Sequence, residues 1–286
     1  MKTATADCRH RLSDALGTEY FRLPPGVGRG ARGTLVIVHG QNRDVDSLVA
    51  AFLPYAIRLG LDLIAPEFTA TRHRGYQRLL TSDPSRNAVD VLDEVLSDAG
   101  VGVNERVLLF GFSGGAQFAH RYAIARPDRI LALSIAAAGW YTFPTPNQPF
   151  PYGVAPGSLP VGDDDLLSGL LTFPVQVLVG ERDTNRDASL RSSRRVDRHQ
   201  GPNRVSRALA WVEAMRRLAP DAGPPDLQIL PGVGHRFDRC VRAGMIESAI
   251  AWFSRQLDRS KAPSPRRGSG EQCDMSSPSI AAIGVE

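Results

Sequence analysis

The chain reads as an α/β protein with a mostly parallel central sheet covered by helices on both faces. Three observations predict this class. Short apolar runs alternate with amphipathic helical stretches from residue 34 to residue 257. The runs at 34–38, 107–110 and 175–179 are apolar but for Thr34 and Gln176, the pattern of strands buried on both faces. The loops that begin at His39, Ser113, Gly139, Asp183 and His235 all leave the carboxyl ends of such runs. In open parallel sheets ligands bind beyond those ends, so the five loops are expected to meet in one cleft.

Each element has its own signal in the sequence. Residues 1–17 form a polar lead-in with at most a helical turn. Residues 18–23 read as an edge strand, stopped by Pro24-Pro25-Gly26. The strand over 34–38 runs into His39-Gly40-Gln41-Asn42-Arg43-Asp44, and Asp44 or Asp46 caps a helix over roughly 45–59. A strand over 61–66 leads into a long charged loop to about Pro84. Apolar residues at 88, 91, 92, 95 and 96 place a helix over 87–99. After the strand at 107–110 come Gly111-Phe112-Ser113-Gly114-Gly115 and a helix with Phe118, Tyr122 and Ala125 at helical spacing. A strand over 130–137 gives way to 139–153, too dense in proline and aromatic residues for a regular helix. A short helix is expected over 163–171, a strand over 175–179 and an arginine-rich polar stretch to about Gly201. An amphipathic helix over 202–218 has Pro202 near its start. A strand over 227–230 and a helix over 244–257 close the fold. The expected organisation is a single domain over 18–259, with 140–174 as a short insertion over the site. Residues 260–286, rich in Ser, Pro, Arg and Gly, are expected to be disordered.

Composition narrows the function. Apolar residues at 42% and charged residues at 22% are ordinary for a globular protein. No apolar run approaches the roughly 18 residues of a membrane span. The first seventeen residues lack the apolar block of a secretory signal, so a cytoplasmic location is expected. The three cysteines are too sparse for a disulfide framework, leaving open one pairing such as Cys240 with Cys273. The net charge of +4 is carried almost wholly by arginine, with lysine only at positions 2 and 261. The arginines at 182, 186, 191, 194 and 195 read as a solvated face rather than a site for an anionic substrate. Aromatic residues interleaved with the basic ones are lacking, so nucleic acid is not an expected partner. No lysine is placed to grip phosphate or form a Schiff base, and no His/Cys/carboxylate set has metal spacing. Neither cofactor nor metal is therefore expected.

The pattern Gly111-x-Ser113-x-Gly115 between strand and helix is a nucleophile-elbow arrangement. A serine hydroxyl needs a base within hydrogen-bond reach, and the base needs an acid to hold its tautomer. His235, in the loop after the last strand, is the candidate base. Asp183, after the preceding strand, is the candidate acid, with Asp187 as the runner-up. His39 is read as shaping the loop at the mouth of the site, and Asp163, Asp164 and Asp165 as helix caps. The candidate oxyanion donors are the backbone amides of Gly114 and Gln41, with Asn42 second to Gln41. Trp140, Tyr141 and Phe143, with Phe150 and Tyr152, are expected to line an apolar substrate pocket next to Ser113.

His39-Gly40, the Gly111–Gly115 elbow, Gly180-x-x-Asp183 and Gly234-His235 together resemble an α/β-hydrolase over roughly residues 34–257. The resemblance implies an eight-stranded, mostly parallel sheet and a catalytic triad of Ser113, Asp183 and His235. The Gly40-Gln41 form of the oxyanion loop resembles esterases, lipases and polyhydroxyalkanoate depolymerase-like members. Many relatives carry a helical lid between the strands that here end near Ala138 and begin at Val175. The short interval in this chain implies a minimal lid. The expected activity is hydrolysis of a small-molecule carboxylic ester through an acyl-enzyme. Acyl transfer by the same triad, or a non-catalytic binding role, are the alternatives.

Overall fold

The computed structural model describes residues 8–13, 16–25, 30–160, 169–220 and 225–261. Eight strands form one sheet: β1 (Arg9–Arg11), β2 (Glu19–Leu23), β3 (Thr34–Val38), β4 (Asp62–Glu67), β5 (Val107–Phe112), β6 (Ile130–Ala136), β7 (Val175–Gly180) and β8 (Asp226–Leu230). Their order is β1-β2-β4-β3-β5-β6-β7-β8. The pairs β1–β2 and β2–β4 are antiparallel and the other five are parallel. The helices are α1 (Val45–Leu59), α2 (Ala88–Asp98), α3 (Gly114–Ala125), α4 (Arg194–Gln200), α5 (Arg204–Leu218), α6 (Phe237–Arg242) and α7 (Met245–Lys261).

Side chains alternate across each strand, and the sheet accordingly carries two cores. Val36, Val38, Leu109, Ile135 and Val177 face α2, α3 and α5. Leu35, Ile37, Leu108, Phe110 and Leu178 face α1 and α7. β3, β5 and β7 are buried along their whole length, which is why they read as apolar runs broken only by Thr34 and Gln176. Fully burying one such side chain is worth about 1.5–3 kcal/mol.

The helices begin where side-chain oxygens meet unpaired amides. Asp44 accepts from the Ser47 amide at the start of α1, and Asn87 from Val89 and Asp90 at the start of α2. Gly60 closes α1 at φ 66°, a conformation glycine adopts without penalty. Asn203 and Ser206 form a capping box on α5, so that helix starts at Arg204 rather than at Pro202.

The register places the site. Val38 pairs with Gly111, Phe112 with Ala136, Ala136 with Leu178 and Gly180 with Leu230. The carboxyl ends of β3, β5, β6, β7 and β8 therefore finish along one edge of the sheet.

Three features differ from the expected organisation. The lead-in contributes β1, which pairs with β2 and displaces it from the sheet edge. Arg9 reaches past β2 to Glu67 at the end of β4. The arginine-rich stretch contains α4, started by the Ser193 hydroxyl, which accepts from Val196 N–H. A short helix, α6, stands directly after the candidate base. Most of the helix expected over 163–171, the tail from residue 262 and Cys273 lie outside the described residues. Among the described residues no helix is long and apolar enough to cross a membrane.

Candidate active site

Ser113 is the single residue between β5 and α3, at φ 55° and ψ −110°. Backbone strain of this kind costs on the order of 1–3 kcal/mol and persists only where the surroundings impose it. The flanking glycines permit the turn. A Cβ on Gly111 would lie 2.3 Å from the Gly115 carbonyl oxygen, and one on Gly115 would lie 2.1 Å from that of Val38. The Ser113 amide donates to Ala136 O at 2.8 Å, tying the turn to β6.

The second segment comes from the ends of β7 and β8. The Glu181 amide donates to Leu230 O and the Arg182 amide to Val233 O, both at 2.8 Å. Gly180 allows this approach, since a Cβ there would meet Val233 O at 2.4 Å. These bonds bring Asp183 under His235. His235 Nδ1 lies 2.8 Å from Asp183 Oδ2, and His235 Nε2 lies 2.8 Å from Ser113 Oγ. An ionised carboxylate only accepts, so Nδ1 carries the proton and Nε2 offers its lone pair to the serine hydroxyl. The imidazole stacks on Phe112, which Phe237 meets edge-on, and this holds the ring plane. Asp183 is buried, while His235 keeps 18% of its side-chain surface open.

The third segment is the turn after β3. Gly40 lies over Ser113, with an added Cβ 3.4 Å from Ser113 Cβ. A Cβ on Gly114 would come within 3.2 Å of the Gln41 amide nitrogen, so the turn after β3 packs closely against the start of α3. Gly114 opens α3, where helix geometry leaves its N–H without an internal partner. His39 holds this turn. Its Nδ1–H donates to Gly40 O at 2.7 Å and its Nε2 accepts from Phe68 N–H at 3.0 Å. Burial pushes its pKa down to about 4. The Tyr76 hydroxyl donates to His39 O at 2.8 Å.

These segments enclose an open cleft of about 500 Å³. Its walls are residues 40–42, Asp44 and Ser47 on one side, Phe112 and Ser113 at the base, and Ser189 with residues 235–238 on the other. A recess of similar volume, about 480 Å³, lies at the opposite ends of β7 and β8 and contains none of the candidate catalytic residues.

Four of the five loops expected at the site contribute to the cleft, and the fifth does not. Trp140, Tyr141 and Phe143 were expected at the substrate pocket, and the structure corrects this. Tyr141 is fully buried, stacked on Trp211, with its backbone N–H and C=O both bonded by the Gln200 side chain. Trp140 is flanked by the guanidinium of Arg121 at 4.2 Å and that of Arg191 at 5.1 Å. Phe143 packs on the core and borders a separate hollow of about 60 Å³. Large aromatic side chains gain more from close packing against α3 and α5 than from facing a wet cleft. The apolar walls come instead from Phe112 and Phe237, which stand beside the nucleophile and the base in sequence. Ser189, on the cleft wall, belongs to no recognisable motif, so the sequence offers no signal for it.

The remaining histidines lie elsewhere. Buried His120 donates from Nδ1 to Ala116 O and accepts at Nε2 from Thr142 N–H, and His73 accepts from Thr69 N–H. His10 stacks on Tyr20 at the sheet edge, and His199 borders the small hollow. Burial pushes the Cys240 thiol up to about 12, so it is no rival nucleophile. Among the described residues no three His, Cys, Asp or Glu side chains are grouped to hold a metal ion.

No protein-family model matches the chain, and no curated protein does. Solved structures do. The poly(3-hydroxybutyrate) depolymerase LpqC of Bordetella parapertussis is 28% identical, covers 88% of this chain and 93% of its own, and superposes with a TM-score of 0.69. Poly(aspartic acid) hydrolase-1 of Sphingomonas sp. KT-1 is 23% identical over 82% of this chain and 92% of its own, with a TM-score of 0.66. The proline iminopeptidase of Mycobacterium smegmatis is 13% identical over 88% and 99%, with a TM-score of 0.53. The chain has the α/β-hydrolase fold.

Proposed function

We propose that this chain is a serine hydrolase of carboxylic esters that works through an acyl-enzyme on Ser113. The observation that carries the reading is the continuous relay of Ser113 Oγ, His235 and Asp183, with both links at 2.8 Å. His235 Nε2 takes the hydroxyl proton as Ser113 Oγ attacks the ester carbonyl carbon. The carbonyl oxygen becomes an oxyanion facing the Gly114 and Gln41 amides, and each such donor is worth about 10²–10³ in rate. Asp183 balances the imidazolium. Collapse of the tetrahedral species breaks the bond to the alkoxy oxygen, which leaves with the proton from Nε2. Water then enters, gives a proton to His235 and attacks the acyl carbon. The second collapse frees the carboxylic acid and restores Ser113.

The cleft supports the substrate class. It is open, its rim is polar at Asp44, Ser47 and Ser189, and Phe112 and Phe237 give it apolar lining. An ester whose acid or alcohol part extends along the surface fits that shape. The likeness to a poly(3-hydroxybutyrate) depolymerase makes hydroxyalkanoate oligomers the first substrates to try. Direct access for water supports hydrolysis over transfer. With added alcohols, thiols or amines, the expected product remains the free acid.

Substituting Ser113→Ala is expected to lower kcat on a 4-nitrophenyl ester about 10³-fold or more and to abolish labelling by a fluorophosphonate probe. Near-normal turnover by that variant would remove Ser113 from the mechanism.

A further inference from the structure

Arg204 opens α5 and has no exposed surface. A cation in the first turn opposes the helix macrodipole, and the capping box already satisfies the helix start. A buried guanidinium also loses its hydration, which only well-placed anions offset. The partners of Arg204 are at the candidate site. One terminal nitrogen, Nη1, donates to Asp183 Oδ1 at 3.2 Å. The other, Nη2, donates to Ser189 Oγ at 2.7 Å and lies 3.7 Å from Asp187 Oδ1. Ser189 Oγ in turn donates to Asp187 Oδ1. Asp183 thus divides its two oxygens, Oδ1 to the guanidinium and Oδ2 to His235.

We propose that Arg204 is a positioning residue of this site, holding Oδ1 so that the carboxylate plane of Asp183 keeps Oδ2 on His235. The inference rests on the serine-hydrolase reading. It also gives Asp187, the runner-up acid, a different place, as a partner of Arg204 beside the relay.

The other ionisable groups around the relay do not replace the Arg204 charge. Tyr141 on the loop after β6 and Cys240 on α6 face Asp183, and burial keeps both neutral. Asp187 faces His235 from the loop after β7. Arg236 and Asp238 pair with each other at the cleft wall. Arg207, one turn along α5, is paired with Asp197. With the Arg204 charge removed, none of these groups opposes a proton on the Asp183–His235 couple. His235 must be neutral to act as base, so the acid limb of the kcat profile moves to higher pH.

Arg204→Met is expected to lower kcat about tenfold or more, with KM within about twofold, and to move the acid limb up by on the order of one pH unit. Arg204→Lys keeps the charge without the two-pronged geometry, and is expected to leave the limb in place and recover part of kcat. Adding Arg204→Met to Asp183→Asn is expected to cost little more than Asp183→Asn alone. A fall in kcat with an unmoved limb, or losses that multiply in the double variant, overturns the proposal. Thermal melts check folding. If Arg204→Met does not fold, Arg204→Lys decides, and wild-type kcat in that variant overturns the proposal. The low-field proton resonance of His235 Nδ1–H gives a readout independent of turnover. Its loss in Arg204→Met supports the positioning role even if the wild type hydrolyses no ester, an outcome that would sink only the hydrolase reading. An unchanged resonance overturns the positioning role.

Discussion

At the scale of the residue, the site depends on side chains held in states that water would not favour. Ser113 sits at a positive φ because the backbones of β3, β5 and α3 leave room only for hydrogen atoms at Gly111 and Gly115. His39 is kept neutral because burial removes the water that would solvate its charge. Its pKa falls from an ordinary value of 6.5 to about 4, so the unfolded chain binds more protons than the folded one between those limits. The His39 contribution is complete above about pH 6.5 and shrinks as pH falls toward 4, by about 3 kcal/mol in all. Urea titrations are expected to show stability falling between pH 7 and pH 5, with a shallower slope in His39→Asn. Equal slopes in the two proteins would exclude His39 as a source. Ser113, Asp183 and His235 were legible because the elbow has a spacing and the other two follow strand ends in order. Arg204 was illegible because one arginine among many gains meaning only from where α5 places it.

At the scale of the element, the loop after β6 shows how tertiary packing overrides a reading by position. The loop leaves the correct end of the sheet and carries the right residue types for a pocket. Its course is decided by partners distant in sequence: Gln200 on the Tyr141 backbone, Trp211 against the Tyr141 ring and Arg121 against Trp140. Trp140→Ala is expected to destabilise the protein by about 3–5 kcal/mol and to leave KM for a small ester within about twofold. A large rise in KM without loss of thermal stability would return Trp140 to the substrate pocket. β1 escaped notice for a related reason. It is short, exposed and polar, and its strand state comes from pairing with β2 rather than from its own pattern.

At the scale of the molecule, the sheet is both the source of stability and the frame of the site. Phe110 lies in the central strand, fully buried, with its ring 4.7 Å from that of Phe52 on α1. Phe110→Ala is expected to cost about 3–5 kcal/mol in a denaturant titration. A loss below about 1 kcal/mol would mean that the α1 face of the core closes over the cavity. Because Ser113 follows β5 directly, the variant is also expected to lose ester turnover in step with its folded fraction.

By itself the sequence determined the mostly parallel sheet, where its main strands lie along the chain and the three residues that meet at its carboxyl edge. Those features are written in local patterns: consecutive apolar residues, glycines where backbones touch, and polar loops at strand ends. Only the tertiary structure decided what surrounds them. Whether an aromatic side chain faces the cleft or the core, and whether an arginine is solvated or bound to the acid, depends on contacts between segments far apart in the chain. A local pattern carries no record of those contacts, because burial is a property of the packed whole.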